Sequence, residues 1–263
     1  MSRQAFFWIL AFVITAGAAV YQRATGPTFP VIGKTELRGT SISYRFERSH
    51  SGSADHTVEL VCPDRSARGV LFWKRYKTDE PWTSVPMTGD PLRANLPGQP
   101  PAGKLMYYVK LTSGDTEAVV PPAGPVVIRF KGDVPLPILV THIALMFIGM
   151  FVSTRAGLEF FRKNPSPGLL PYWTAALLAV GGLVFGPVVQ KYAFDAYWSG
   201  WPFGPDLTDN KTALIVISWI TAAIMLKRSR HPERWALAAA VITLGVYMIP
   251  HSVFGSELHY PLK

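Results

Sequence analysis

Five apolar runs constrain the fold of this chain: Ala5 to Tyr21, Leu136 to Ser153, Leu169 to Val189, Thr212 to Leu226 and Trp235 to Ile249. Each runs to about 15–21 residues, near the ~20 that a helix needs to cross ~30 Å of hydrocarbon. The two shortest reach across only by borrowing flanking residues or by thinning the bilayer. Four of the five lie in the second half, so the chain reads as a membrane protein with one large polar insertion after its first span. Composition agrees, with 49% hydrophobic and 16% charged residues in 263. That is too apolar for an ordinary soluble domain and too polar for a chain wholly in lipid.

Lys and Arg in the short connections set the expected orientation, because cytoplasmic loops retain positive charge during insertion. Arg3 precedes the first run, Arg155, Arg162 and Lys163 separate the second from the third, and Lys227, Arg228, Arg230 and Arg234 separate the fourth from the fifth. These segments alternate with the others, so the expected topology in a bacterial inner (cytoplasmic) membrane has the amino terminus inside and the carboxyl terminus and polar insertion outside. The same bias accounts for much of the net charge of +9. It argues against a nucleic-acid partner, which would need a basic face with interleaved aromatics on a larger soluble surface. The first segment, residues 1–21, fits a transmembrane anchor or a signal segment, since a short basic start precedes it and Ala16-Gly17-Ala18 offers a cleavage spacing.

Residues 22–133 are punctuated by Pro, Gly and Ser between short β-branched and aromatic runs. Strands are expected at Ser41 to Phe46, Thr57 to Cys62, Gly69 to Tyr76, Trp82 to Met87, Leu92 to Leu96, Leu105 to Thr112, Glu117 to Val120 and Val126 to Phe130. This spacing suits an extracytoplasmic immunoglobulin-like or fibronectin-like β-sandwich with Trp73 or Tyr107 in its core. Cys62 is the only cysteine, so no intrachain disulfide is available, and its expected place is a buried strand position. His50 and His56 flank Ser51-Gly52-Ser53 and read as solvated loop histidines, with metal binding a distant second. The basic run Lys74-Arg75-Tyr76-Lys77 reads as a solvated strand end that could also dock acidic headgroups or an acidic partner.

Residues 134–263 are expected to form a four-helix transmembrane bundle. Its loop from Lys191 to Lys211 sets five charges, Lys191, Asp195, Asp206, Asp209 and Lys211, against a membrane boundary. Charge near hydrocarbon has to be solvated, paired or liganded. Tyr192, Tyr197, Trp198 and Trp201 fit headgroup-depth aromatics, and Asp206 or Asp209 fits a helix cap. The remaining polar residues, with Asn210, point to an interlocked network, an oxygen-ligand ion site or a headgroup pocket. The tail adds His251, Glu257 and His259 to the same expected face. His142, about six residues into the second span, is a candidate with His251 for axial ligation of a b-type haem or a metal, against the rival of a hydrogen bond to a neighbouring helix. An enzyme on lipid-linked or exported substrate would use Glu257 and His259 as acid and base, with Lys191 or Lys211 beside an anionic centre. No hydrolase, phosphate-loop or Cys-x-x-Cys signature supports that reading.

The strings QPPAGK (99–104), FGPVVQKYAF (185–194), GWPFGPDLTDNK (200–211) and IPHSVFGSEL (249–258) resemble a family of uncharacterised bacterial polytopic membrane proteins, in which an exported β-domain precedes four transmembrane helices. The resemblance covers most of the chain and implies no particular activity, cofactor or partner. Its members often have Gly where this chain has Asp195, which makes Asp195 a poorer candidate than Asp206 or Asp209. Together these features point to a non-catalytic accessory or interaction subunit of a cell-envelope complex, with membrane lipids and a membrane or periplasmic protein as partners.

Overall fold

The structure, a computed structural model, describes residues 3–204, 206–249 and 258. It combines helix and sheet in two compact units: a helical one of residues 3–27, 134–192 and 196–249, and a β one of residues 28–133 with 193–195.

In the helical unit α1 spans Arg3–Thr25 and α2 Leu136–Leu158. A helix then runs through α3 (Leu170–Ala179), a π turn (Val180–Phe185) and α4 (Gly186–Phe194), followed by α5 (Leu207–Arg228) and α6 (Pro232–Met248). Four helices are long and apolar enough to cross a membrane: Gln4–Thr25, Leu136–Phe161, Leu170–Phe194 and Leu207–Arg228. The expected fifth span, α6, has 17 residues, about 26 Å at 1.5 Å each. It stops because Ile249 precedes a proline and turns extended, with φ −80 and ψ 116.

α2 packs against α1, α3 and α6, and α5 against α3 and α6. Small residues allow the close approach: a Cβ on Gly157 would stand 2.4 Å from the Ala240 Cβ. Polar atoms inside the unit find partners across helices. Trp219, fully buried, donates from Nε1 to Thr243 Oγ1 at 2.8 Å, and Thr243 Oγ1 donates to the Ala239 carbonyl at 2.8 Å.

Arg155, expected in a solvated connection after Ser153, is instead buried, because α2 continues to Leu158. Its Nη1 meets Glu159 Oε2 at 2.6 Å, Arg162 bonds the other oxygen of Glu159, and the Arg155 guanidinium lies over Trp8 at 5.3 Å and Phe7 at 5.8 Å. The carboxylate and the aromatic faces replace the water this charge has lost.

The β unit contains β1 (Val31–Leu37), β2 (Thr40–Phe46), β3 (Ser49–Ser51), β4 (His56–Leu60), β5 (Arg68–Arg75), β6 (Thr83–Pro86), β7 (Leu92–Leu96), β8 (Lys104–Ser113), β9 (Thr116–Val120) and β10 (Val126–Lys131). One sheet runs β3-β10-β8-β5-β6 with β9 also on β8, and two ribbons pair β1 with β2 and β4 with β7. All eight expected strands form, and β1 and β3 join them. β1 and β2 are closed by Arg38 and Gly39 at φ +50 and +78, a two-residue turn whose twist matches the strands it joins.

Strict alternation along β8 sends Leu105, Tyr107, Val109 and Leu111 into the core and Lys104, Met106, Tyr108 and Lys110 outward. Each inward side chain contributes roughly 1.5–3 kcal/mol of burial. Of the two expected core aromatics, Tyr107 is fully buried and donates to the Glu47 carbonyl at 2.8 Å, while Trp73 is half-buried at the core's edge. Burial raises the Tyr107 phenol above its ordinary range. Cys62, expected within a strand, lies two residues past the end of β4 and is a buried free thiol, pushed up by the same desolvation.

Candidate functional site

The loop between α4 and α5 closes on itself. α4 ends at Phe194, and Asp195 follows at φ +62. This left-handed residue terminates the helix in the conformation that glycine adopts without strain. From there the chain folds back over the start of α5. Asp206 is the N-cap of α5: its Oδ1 accepts from the Thr208 N–H at 2.8 Å, its own N–H donates to the Ser199 carbonyl at 3.0 Å, and its Oδ2 accepts from the Ser199 hydroxyl at 3.0 Å.

Asp209, one turn on, holds the other side of the loop. Its Oδ2 accepts the Ser199 N–H at 2.6 Å, the Gly200 N–H at 2.9 Å and Gln190 Nε2 at 3.2 Å. Gln190 Nε2 also donates to Ser199 Oγ at 2.7 Å, and Asn210 Oδ1 accepts the Trp201 N–H at 2.7 Å. Gly200 makes this approach possible, since a Cβ there would stand 2.6 Å from the Asp209 Cβ and 2.8 Å from Asn210 Oδ1.

Asp206, Asp209 and Lys211 are all buried. Lys211 donates from Nζ to the Ile249 carbonyl at 3.2 Å and lies in the field of the Asp206 carboxylate. Lys191 sits over the Tyr197 ring at 5.6 Å. Of the three expected arrangements, the geometry is the interlocked network. Asp206 faces Ser199 of the loop and Thr208 of α5, and Asp209 faces Ser199 and Gly200 of the loop and Gln190 of α4. Sequence reasoning missed Gln190 and Ser199, which are uncharged and lie 19 and 10 positions from Asp209. The proposed tail residues His251, Glu257 and His259 lie outside the described residues.

His142 is half-buried on α2, with Nδ1 2.8 Å from the Gly181 carbonyl in the π turn. That carbonyl also accepts the Gly186 N–H. A carbonyl only accepts, so the proton is on Nδ1 and the Nε2 lone pair points elsewhere. This is the helix-to-helix hydrogen bond named as the rival to haem ligation, and His251, the other half of the ligand pair, lies outside the described residues.

The loop's aromatics face outward, Trp201 at 78% and Phe203 at 83% exposure. The β unit presents a second surface cluster. Phe72 on β5 lies opposite Tyr108 on β8 with ring centroids 5.0 Å apart and planes 7° apart, and Trp82 meets Tyr108 edge-on at 4.9 Å. Lys74 sits over Trp82 at 5.4 Å, and Lys77 and Lys104 lie over Tyr76 at 5.5 and 5.4 Å. The run 74–77 is therefore part of an aromatic and cationic sheet face, with more structure than a solvated strand end.

No protein-family model matches the sequence, and no curated protein or solved structure matches it either.

Proposed function

We propose that this protein is an integral membrane accessory or interaction subunit of a bacterial envelope complex, and that it binds an acidic partner protein through the outward face of β5, β8 and β6. The observation that carries the reading is the aromatic cluster Phe72, Tyr108 and Trp82 bordered by Lys74, Lys77 and Lys104. Tyr and Trp are enriched where interfaces concentrate their binding free energy, and the bordering ammonium groups favour a complementary acidic surface.

In this reading the β unit is an immunoglobulin-like or fibronectin-like sandwich on the outer side of the inner membrane, with the amino terminus inside. The helices anchor it, α6 completing a five-span arrangement through a locally thinned bilayer. Membership of the family resembled by the four strings is part of the same proposal. The test is purification of the full chain in mild detergent. A partner should accompany the wild type and be lost with Trp82→Ala or Tyr108→Ala; a protein that always emerges alone sinks the reading.

A redox alternative keeps one observation in its favour. His142 donates from Nδ1 to a backbone carbonyl, as metal-bound histidines commonly do with the nitrogen that is not ligating. Axial ligation of a b-type haem by His142 and His251 would give the purified protein a Soret band that disappears with His142→Ala. A protein transparent above 350 nm removes this alternative.

A further inference from the structure

Two histidines meet in the β unit. His50 lies in β3, paired in register with Phe130 of β10 and edge-on to its ring, with centroids 5.3 Å apart. His56 opens β4 and pairs with Leu96 of β7. The link 52–55 turns at Gly52, φ +87, so that the two Nδ1 atoms face each other at 3.3 Å with ring centroids 5.0 Å apart. Both ends of the link are tied to strands or their flanks: the Gly52 N–H donates to the Lys131 carbonyl at 2.8 Å, and Asp55 Oδ1 accepts the Gly98 N–H at 2.8 Å. The expected solvated loop is thus a half-buried, mutually facing pair.

A separation of 3.3 Å suits a hydrogen bond between neutral imidazoles, and it also matches one edge of a tetrahedral zinc site. With Zn–N near 2.05 Å, a tetrahedral angle puts two ligand nitrogens roughly 3.3 Å apart, a right angle roughly 2.9 Å and a linear site roughly 4.1 Å. We propose that His50 and His56 bind a zinc-like divalent cation through their two Nδ1 atoms, tying the edge of the six-stranded sheet to β4.

The pair supplies two ligands and leaves two positions for water or for a donor from another molecule. Burial, then the neighbouring His50, lowers the His56 proton affinity, which favours the neutral ring that a metal ligand needs, while the Glu47 carboxylate acts on His56 in the opposite sense and favours a cation nearby. The proton of the N–H···N bond moves to Nε2 of its own ring, so binding near pH 7.5 releases no net proton. On His50 that atom is buried with no acceptor among the described residues. This weakens the site relative to one whose ligands have hydrogen-bonded supports.

The experiment is titration of Zn²⁺ into the metal-stripped full chain in detergent at pH 7.5, read by competition with a chromophoric chelator and by the melting temperature. One equivalent should bind and raise the melting temperature, and binding should weaken in acid, where protons compete with the metal for the ring nitrogens. His56→Gln should abolish it, whereas His56→Cys, which restores a ligand, should retain it. That second variant separates loss of a ligand from loss of the fold at β3 and β4. Absence of stoichiometric binding overturns the proposal, as does zinc that remains bound in His56→Gln.

Discussion

Replacing Asp209 with Ala removes one carboxylate oxygen from four donors at once. Two of them are the Ser199 and Gly200 N–H groups at 2.6 and 2.9 Å, and a third is Gln190 Nε2 at 3.2 Å. The Ser199 hydroxyl, fourth at 3.4 Å, keeps its closer acceptor on Asp206. Gly200 is buried and Asp209 is 7% exposed, so water does not readily replace the lost acceptor. The buried Gly200 N–H left unsatisfied costs roughly 1–3 kcal/mol, and the half-buried Ser199 N–H adds less than that again. Asp206→Ala removes the cap bond to Thr208, worth about 1 kcal/mol within a range of roughly 0.5–2, and with it the acceptor of the Ser199 hydroxyl and the carboxylate beside Lys211. Asp209→Asn keeps an acceptor but gives up charge assistance, worth roughly half of each bond, and should cost less than Asp209→Ala. Reversible SDS or thermal unfolding of the full chain in micelles measures the order. A cost below about 0.5 kcal/mol for Asp209→Ala refutes the reading of Asp209 as the loop's clamp.

Gly200→Ala should destabilise by about 1–3 kcal/mol through overpacking against Asp209 and Asn210, measured in the same unfolding assay. Glu159→Ala should cost about 3–5 kcal/mol by leaving Arg155 buried without its carboxylate, and pairing it with Arg155→Met should recover much of that loss in a double-mutant cycle. The metal-free β unit should weaken in mild acid. His56 binds its proton less tightly folded than unfolded, so its contribution is full above pH 6.5 and falls as pH drops from there through the lowered folded value. A second loss should follow between pH 3.8 and about 2, where Asp64 is held by the Ser113 hydroxyl first and by the Ser66 hydroxyl and N–H after it. Melting curves of the metal-stripped protein from pH 8 to pH 2 check both; a β unit that gains stability between pH 6.5 and 5 contradicts the first.

Period and length made most of the elements legible. β8 alternates over ten residues and α2 is apolar over most of its length, so both stand out in the sequence. β1 does not, because Ile32 is on its exposed face and Gly33 and Thr35 take inward positions, so its pairing with β2 is visible only from the Arg38-Gly39 turn. β3 has three residues, too few to carry any period. Arg155 and Glu159 have the i, i+4 spacing of a helical ion pair, but a positive charge after an apolar run reads first as a loop residue. In the α4–α5 loop the charges and a cap at Asp206 or Asp209, which the structure puts at Asp206, were legible. What Asp209 binds was not, because its partners are backbone N–H groups, which every residue but proline carries, presented by a chain that doubles back. The meeting of His50 and His56 depends likewise on the link at 52–55.

The central claim, that a membrane-anchored β unit binds a partner protein through its aromatic face, is tested most directly by photo-crosslinking in intact cells. A benzophenone amino acid replaces Trp82, with Ile32, exposed on β1, as the control position. The account predicts a discrete protein adduct from position 82 that is missing from position 32. No adduct from position 82, or the same adducts from both positions, would contradict it.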